Sequence, residues 1–318
     1  MINWNENVKL IITDVDDTVA EVFSETSADM ICELEKLLFE GKMIFFISGQ
    51  SFNNIFDRVI KFIDITLRKG IFVGHCNGAE VIGFDKSGKV LPTPLFSVSH
   101  ANTSNINSNF RDIINQIIKE FDLEPINPMD IEAFKLTTKG MPKCIMVDDR
   151  KLQISFDFIN GCKLCDFLYS GELSNKELEA NDIRYLIMKR SKELFKEANI
   201  PIEAKLGGTI AIDFCFSGVT KGLAIRKLIS INKDKASICL PWITLSFALE
   251  DIEVWGDNFS LPNRGADLYM SLVLPKTTRS ISFRDIEQRE IIRNFNIVAW
   301  DGKERLNKGL LEYLKSRY

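Results

Sequence analysis

Lys9-Leu-Ile-Ile-Thr13-Asp14-Val15-Asp16-Asp17-Thr18 is an apolar run that stops at two carboxylates spaced two positions apart. A strand apolar at every position, rather than at alternate ones, is buried on both faces, as in a parallel sheet covered by helices. Open sheets of that kind bind ligands in the crevice beyond the carboxyl ends of their strands, where Asp14 and Asp16 fall. Two carboxylates so close repel each other unless a cation or a proton intervenes. The segment therefore predicts a metal site, an acid/base pair, or both. Asp14, Asp16 and Asp17 are also residue types that serve as plain turn and cap residues, bonding local backbone N–H groups. The rest of the chain has to choose between these readings.

The periodicity that follows is that of alternating strands and helices. Residues 24–40 place Met30, Ile31, Leu34, Leu37 and Leu38 on a helical period and end at Gly41. A second apolar strand at 43–47 runs into Ser48-Gly49-Gln50-Ser51, a helix continues to Phe62, and a third strand is expected at 71–74. This order implies a parallel sheet with right-handed crossovers. Its character changes after a hairpin turn at 83–89. We expect a polar loop at 100–109, a helix at 110–121, strands at 131–137, 143–147 and 152–159, a helix at 175–198 and a strand at 203–216. Strands in hairpin order with two helices read as an α+β module with an antiparallel sheet. From Val219 the first pattern returns, with a helix at 221–229, a strand at 252–255, a loop at 256–265, a strand at 268–274 and a closing helix from Lys308. The expected fold is α/β: a Rossmann-like core formed by residues 1–83 and 208–318, and an inserted α+β cap at 84–207.

Composition narrows the function classes. A formal charge of −4 lacks the basic footprint of a nucleic-acid binder. No apolar stretch reaches the length of a membrane span, and the first residues lack the regions of a signal peptide, so a cytoplasmic location is expected. Seven cysteines include a single CxxC, Cys162 and Cys165, with no second pair to complete a zinc site. Two histidines, His75 and His100, rule out a histidine-rich metal centre and leave acid/base work to carboxylates and lysines.

Three later segments fit the needs of the first. Ser48 and Gly49 follow a strand and open a helix, a natural phosphate cradle, although a plain helix cap is the simpler use of such a serine. Lys221, in Gly218-Val-Thr-Lys-Gly222, enters a helix at the end where its charge opposes the helix dipole, which points to another partner. Asp257 ends an apolar strand as Asp14 does, so on one parallel sheet both lie at the same edge. Their oxygen-only donors suit Mg²⁺. Asp267 follows closely in sequence, either as a helper or as a cap for the next segment.

In this order, Asp-x-Asp-x-Thr, Ser-Gly, Lys-Gly and Gly-Asp with a trailing Asp resemble the haloacid dehalogenase superfamily. The likeness covers about residues 8–83 and 205–275. Asn77-Gly78-Ala79, Gly207-Gly208-Thr-Ile-Ala-Ile-Asp213 and the long insert are similar to the Cof-type sugar phosphatases and phosphomannomutases. The resemblance implies Asp14 as nucleophile and Asp16 as general acid/base. It implies Ser48 and the Gly49 amide as phosphoryl holders, and Lys221 as a bridge between phosphate and Asp14. Mg²⁺ would be held by Asp14, the Asp16 backbone carbonyl and Asp257, with Asp267 or Asn258 assisting. The implied activity is hydrolysis of a small phosphate ester, a sugar phosphate by preference, through an aspartyl-phosphate. Asp17 stands where many members have Gly, Gln50 where the sugar phosphatases often have Arg, and the stretch between Asp257 and Asp267 is longer than usual. A phosphomutase is the alternative, but the chain has no Arg-Asn-Gly-Met segment, by which phosphomannomutase caps are recognised. A non-catalytic phosphate-ligand binder on the same fold is the other.

Overall fold

The structure, a computed structural model, describes residues 2–98, 103–167, 181–207, 210–232, 235–240, 243–260 and 265–318. The chain divides into two compact units, Met1–Ser97 with Val219–Tyr318, and Val98–Gly218.

The first unit begins with β1 (Leu10–Thr13), α1 (Ala28–Phe39), β2 (Met43–Ile47), α2 (Phe52–Arg58), β3 (Ile71–His75), β4 (Glu80–Gly83) and β5 (Phe96–Ser97). The second holds α3 (Thr103–Glu120), β6 (Glu124–Ile126), α4 (Ile131–Thr138), β7 (Cys144–Asp149), β8 (Gln153–Asp157), α5 (Ile183–Glu197), β9 (Ile202–Gly207) and β10 (Ala211–Phe216). The first unit resumes with α6 (Lys221–Leu228), β11 (Ile229–Asn232), β12 (Lys235–Leu240), β13 (Ile243–Ala248), β14 (Ile252–Gly256), α7 (Leu268–Ser271), β15 (Arg279–Ser282), β16 (Ile297–Ala299) and α8 (Leu306–Lys315).

An eight-stranded sheet in the order β16-β15-β14-β1-β2-β3-β4-β5 organises the first unit. Strands β16 to β3 are parallel; β4 and β5 close the edge in antiparallel fashion. Its centre is β1, with Leu10 opposite Met43 on one side and Ile252 on the other. All of β1, β2 and β14 are buried, as continuous apolar runs require. Helix α1 starts where Ser27 Oγ accepts the Met30 amide at 3.3 Å and buries the stripe Met30, Ile31, Leu34, Leu37 and Leu38. In the second unit a five-stranded sheet, β6-β7-β8-β10-β9, is antiparallel except between β6 and β7. Its core is aromatic, with Phe156 and Phe214 ring centres 4.9 Å apart and Phe110 against Phe195.

Several elements differ from the sequence reading. Residues 131–137 are not a strand but helix α4, capped by Asp130, whose carboxylate accepts the amides of Glu132 and Ala133. Residues 268–274 are likewise not a strand; α7 occupies Leu268–Ser271. Short apolar runs do not distinguish strand from buried helix. The expected loop at 100–109 is helical from Thr103, where the buried stripe Phe110, Ile113, Ile114 and Ile117 extends a helix through residues of weak propensity; residues 99–102 lie outside the described residues. Helix α5 begins at Ile183 behind the Asp182 cap, and the expected start near 175 falls outside the described residues. The single strand at 203–216 is two, β9 and β10, paired with Ala211 opposite Gly207; Gly208 and Thr209 lie outside the description. The three-stranded sheet β11-β12-β13 was not read from the sequence, nor were β15 and β16. The units divide after Ser97 and after Gly218, rather than at 83 and 207, because β4 and β5 pair into the core sheet and β10 pairs with β8 and β9. No helix among the described residues is long and apolar enough to cross a membrane.

Candidate active site

Four side chains from separate parts of the first unit meet beyond the carboxyl ends of β1 and β14. Asp14 follows β1, its amide bonded to the Trp255 carbonyl at 3.0 Å, so the two strands carry Asp14 and Asp257 to one edge. Lys221, the first residue of α6, reaches Asp14 Oδ1 at 2.5 Å and Asp267 Oδ1 at 2.7 Å. All are buried, and ligand oxygens of Asp14, Asp257 and Asp267 lie within 4.8 Å of one another.

Asp267 does not cap α7 with its side chain. Its second oxygen accepts the amides of Asp257 and Asn258 at 2.9 and 2.8 Å, which fixes the turn after β14. Gly256 makes this possible: a Cβ there would meet Asp267 Oδ2 at 2.5 Å. Gly256→Ala is expected to destabilise the protein by about 1–3 kcal/mol, the usual scale of overpacking, read from urea unfolding; an unchanged midpoint would contradict the tight fit.

Asp16 and Ser48 form a second group. Ser48 Oγ donates to Asp16 Oδ2 at 3.0 Å and accepts the Gln50 amide at 3.1 Å. Ser51, not Ser48, caps α2, and Gly49 lies between them. Asp16 Oδ1 accepts from Arg58 Nη1 at 2.6 Å, a partner absent from the sequence reading. Asp17 adopts a left-handed backbone with φ of 58°, the conformation glycine takes without strain and aspartate tolerates better than most. A second unforeseen cation, half-exposed Arg284, pairs with Asp257 at 2.7 Å and with Asp17 at 3.2 Å. The sequence holds little signal for either arginine, since each meets its partner only through the fold.

The electrostatics follow from burial. Desolvation pushes the Asp14 carboxyl well above its ordinary value; Lys221 opposes this, and Asp267, Asp257 and Asp16 add to it. Desolvation, then Asp267, pushes Asp257 up to about 7 against Arg284 and Lys221. Burial alone would lower Lys221, but Asp14 and Asp267 outweigh it and hold the ammonium charged.

No protein-family model and no curated protein matches the sequence. Solved structures do resemble it. A haloacid dehalogenase-like hydrolase from Bacteroides thetaiotaomicron superposes with a TM-score of 0.58 at 12% identity, covering 98% of this chain and 100% of that one. A phosphatase of the haloalkanoate (HAD) enzyme superfamily from the same organism gives 0.50 at 15% identity, covering 99% and 97%. The N-terminally truncated, IMP-bound IMP-nucleotidase of Plasmodium falciparum gives 0.52 at 13% identity, covering 97% and 68%. The fold is that of the haloacid dehalogenase-like phosphatases. In this HAD-type fold the parallel sheet supplies the core and the separate antiparallel sheet the cap. The cluster of Asp14, Lys221, Asp257 and Asp267 stands entirely within the first unit.

Proposed function

We propose that this chain is an Mg²⁺-dependent phosphatase that hydrolyses a small phosphorylated metabolite, a sugar phosphate in the Cof-type manner, through an aspartyl-phosphate at Asp14. The observation that carries this reading is the buried convergence of Asp14, Asp257 and Asp267 around Lys221. Five carboxylates, Asp14, Asp16, Asp17, Asp257 and Asp267, face three cations, Lys221, Arg58 and Arg284. The formal deficit is the charge of one divalent ion. The donors are hard oxygens, which suit Mg²⁺, and the elevation of Asp14 and Asp257 marks desolvated acids short of positive charge. Asp14, Asp257 and the Asp16 carbonyl would hold the ion. When bound, it offsets the charge of Asp14 and of the phosphate and polarises the phosphoryl oxygens.

The chain's own residues do the rest. Lys221 stays protonated beside Asp14 and draws in a phosphoryl oxygen. The Gly49 amide receives another, joined by the Ser48 hydroxyl, which turns to it from Asp16 Oδ2 and leaves that oxygen to carry the proton. An Asp14 oxygen attacks phosphorus, the bond to the ester oxygen breaks, and Asp16 gives its proton to the departing alkoxide. Water then attacks phosphorus, returns a proton to Asp16 and frees Asp14 with inorganic phosphate. Two displacements of lower barrier replace one.

The test is phosphate release from a panel of sugar phosphates, nucleoside monophosphates including IMP, and p-nitrophenyl phosphate, with Mg²⁺ or EDTA. Release that needs Mg²⁺ supports the reading; no release from any ester overturns it. Asp16→Asn is expected to slow alkyl esters by about 10²–10⁴-fold, the range of general acid/base catalysis, and p-nitrophenyl phosphate much less, since its leaving group needs little protonation. Equal losses on both would remove Asp16 as the acid.

A further inference from the structure

We propose that Arg58 is a positioning residue that acts on the reaction through Asp16, an inference that rests on the phosphatase reading above. Arg58 ends α2 and is only 6% exposed. A guanidinium is costly to bury unless its donors are met, and here they are. Nε donates to the Ser24 carbonyl at 2.8 Å and Nη2 to the Glu21 carbonyl at 2.6 Å. Nη1 divides between Asn54 Oδ1 at 3.2 Å and Asp16 Oδ1 at 2.6 Å. The Arg58 carbonyl accepts the Thr26 amide at 2.9 Å, so the backbone that carries the side chain is tied to the same loop.

Two backbone carbonyls and Asn54 thus set the guanidinium plane without help from Asp16. It is a fixture onto which the carboxylate docks. The other Asp16 oxygen takes the Ser48 hydroxyl, itself held by the Gln50 amide. Before phosphate draws the Ser48 hydroxyl away, both Asp16 oxygens are engaged; afterwards Arg58 still holds Oδ1 and fixes the orientation in which Oδ2 carries the proton. That orientation sets the rate: a proton carrier displaced by about 1 Å loses on the order of 10²-fold. Gln50 leaves no cation on the segment that follows β2, and Arg58 brings one to the same neighbourhood from the far end of α2.

A double-mutant cycle on kcat, with an alkyl phosphate and with p-nitrophenyl phosphate, tests this. Arg58→Met is expected to lower kcat for the alkyl ester by about 10–10²-fold, with KM changed little and the aryl ester less affected. In the Asp16→Asn background the same change is expected to cost almost nothing further, because residues that act as one unit are not additive. Arg58→Lys keeps the charge but not the fork, and should recover only part of the rate. If Arg58→Met does not fold, Asn54→Ala, which loosens the guanidinium from one side, is expected to show a smaller loss with the same non-additivity. Multiplicative losses in the cycle, or equal losses on both esters, would overturn the role of Arg58 while leaving the phosphatase standing. A wild type inert toward every ester would overturn both.

Discussion

We expect Asp14→Asn to abolish phosphate release from every ester that the wild type hydrolyses, while the protein stays folded. The amide keeps the shape of the carboxylate but is neither a nucleophile at phosphorus nor a charged donor to a divalent ion. Stability should not suffer. The carboxylate sits in a desolvated place among Asp16, Asp257 and Asp267, and Lys221 retains Asp267 at 2.7 Å when Asp14 loses its charge. The expected result is no turnover, with a urea midpoint in EDTA at or above that of the wild type. Wild-type rates would remove Asp14 from the chemistry, and a collapsed midpoint would show that the residue is needed for folding instead.

Lys221→Met should have the opposite signature. Methionine fills the space of the stem but leaves Asp14 and Asp267 buried without their cation. Breaking a buried pair from one side costs about 3–5 kcal/mol, and with both carboxylates stranded we expect the upper part of that range in EDTA. Lys221 is raised above its ordinary value because Asp14 and Asp267 outweigh burial, so the folded protein binds this proton more tightly than the unfolded chain. Its contribution is therefore complete at neutral pH and is lost only as pH climbs beyond the ordinary lysine range. Urea unfolding at neutral pH measures it; a loss below about 1 kcal/mol would mean the pair is far better solvated than its burial implies.

The contrast between these two positions also shows where the sequence was informative. A run with no polar interruption made β1 a buried central strand before any contact was known, and Asp14 and Asp257 shared an edge because both end such runs. Lys221 sat against the helix dipole, which pointed to some other partner, a carboxylate or a phosphate; in the structure it meets Asp14 and Asp267. What stayed hidden depended on tertiary partners. Arg58 reads as an ordinary basic residue in the last turn of a helix, and only the loop at 21–26 makes it a fixture beside Asp16. Arg284 lies in a segment without periodicity. At 131–137 and 268–274 the apolar runs were too short for period to separate strand from helix, and capping by Asp130 decided the first.

The placement of β1 has a consequence for biosynthesis. One of its neighbours, β2, follows within the same stretch of chain, but the other, β14, pairs Leu10 with Ile252. At roughly 5–20 residues per second on the ribosome, roughly 12–48 s pass between the emergence of those two partners. During that interval one flank of an entirely apolar strand has no β14 to bond, a hazard for mispairing with other chains. The second unit is continuous in sequence, from Val98 to Gly218, and is translated in full before β14 appears. The contiguous module is thus available to the nascent polypeptide before β14 can join the central sheet, so pairing of that sheet waits for late synthesis.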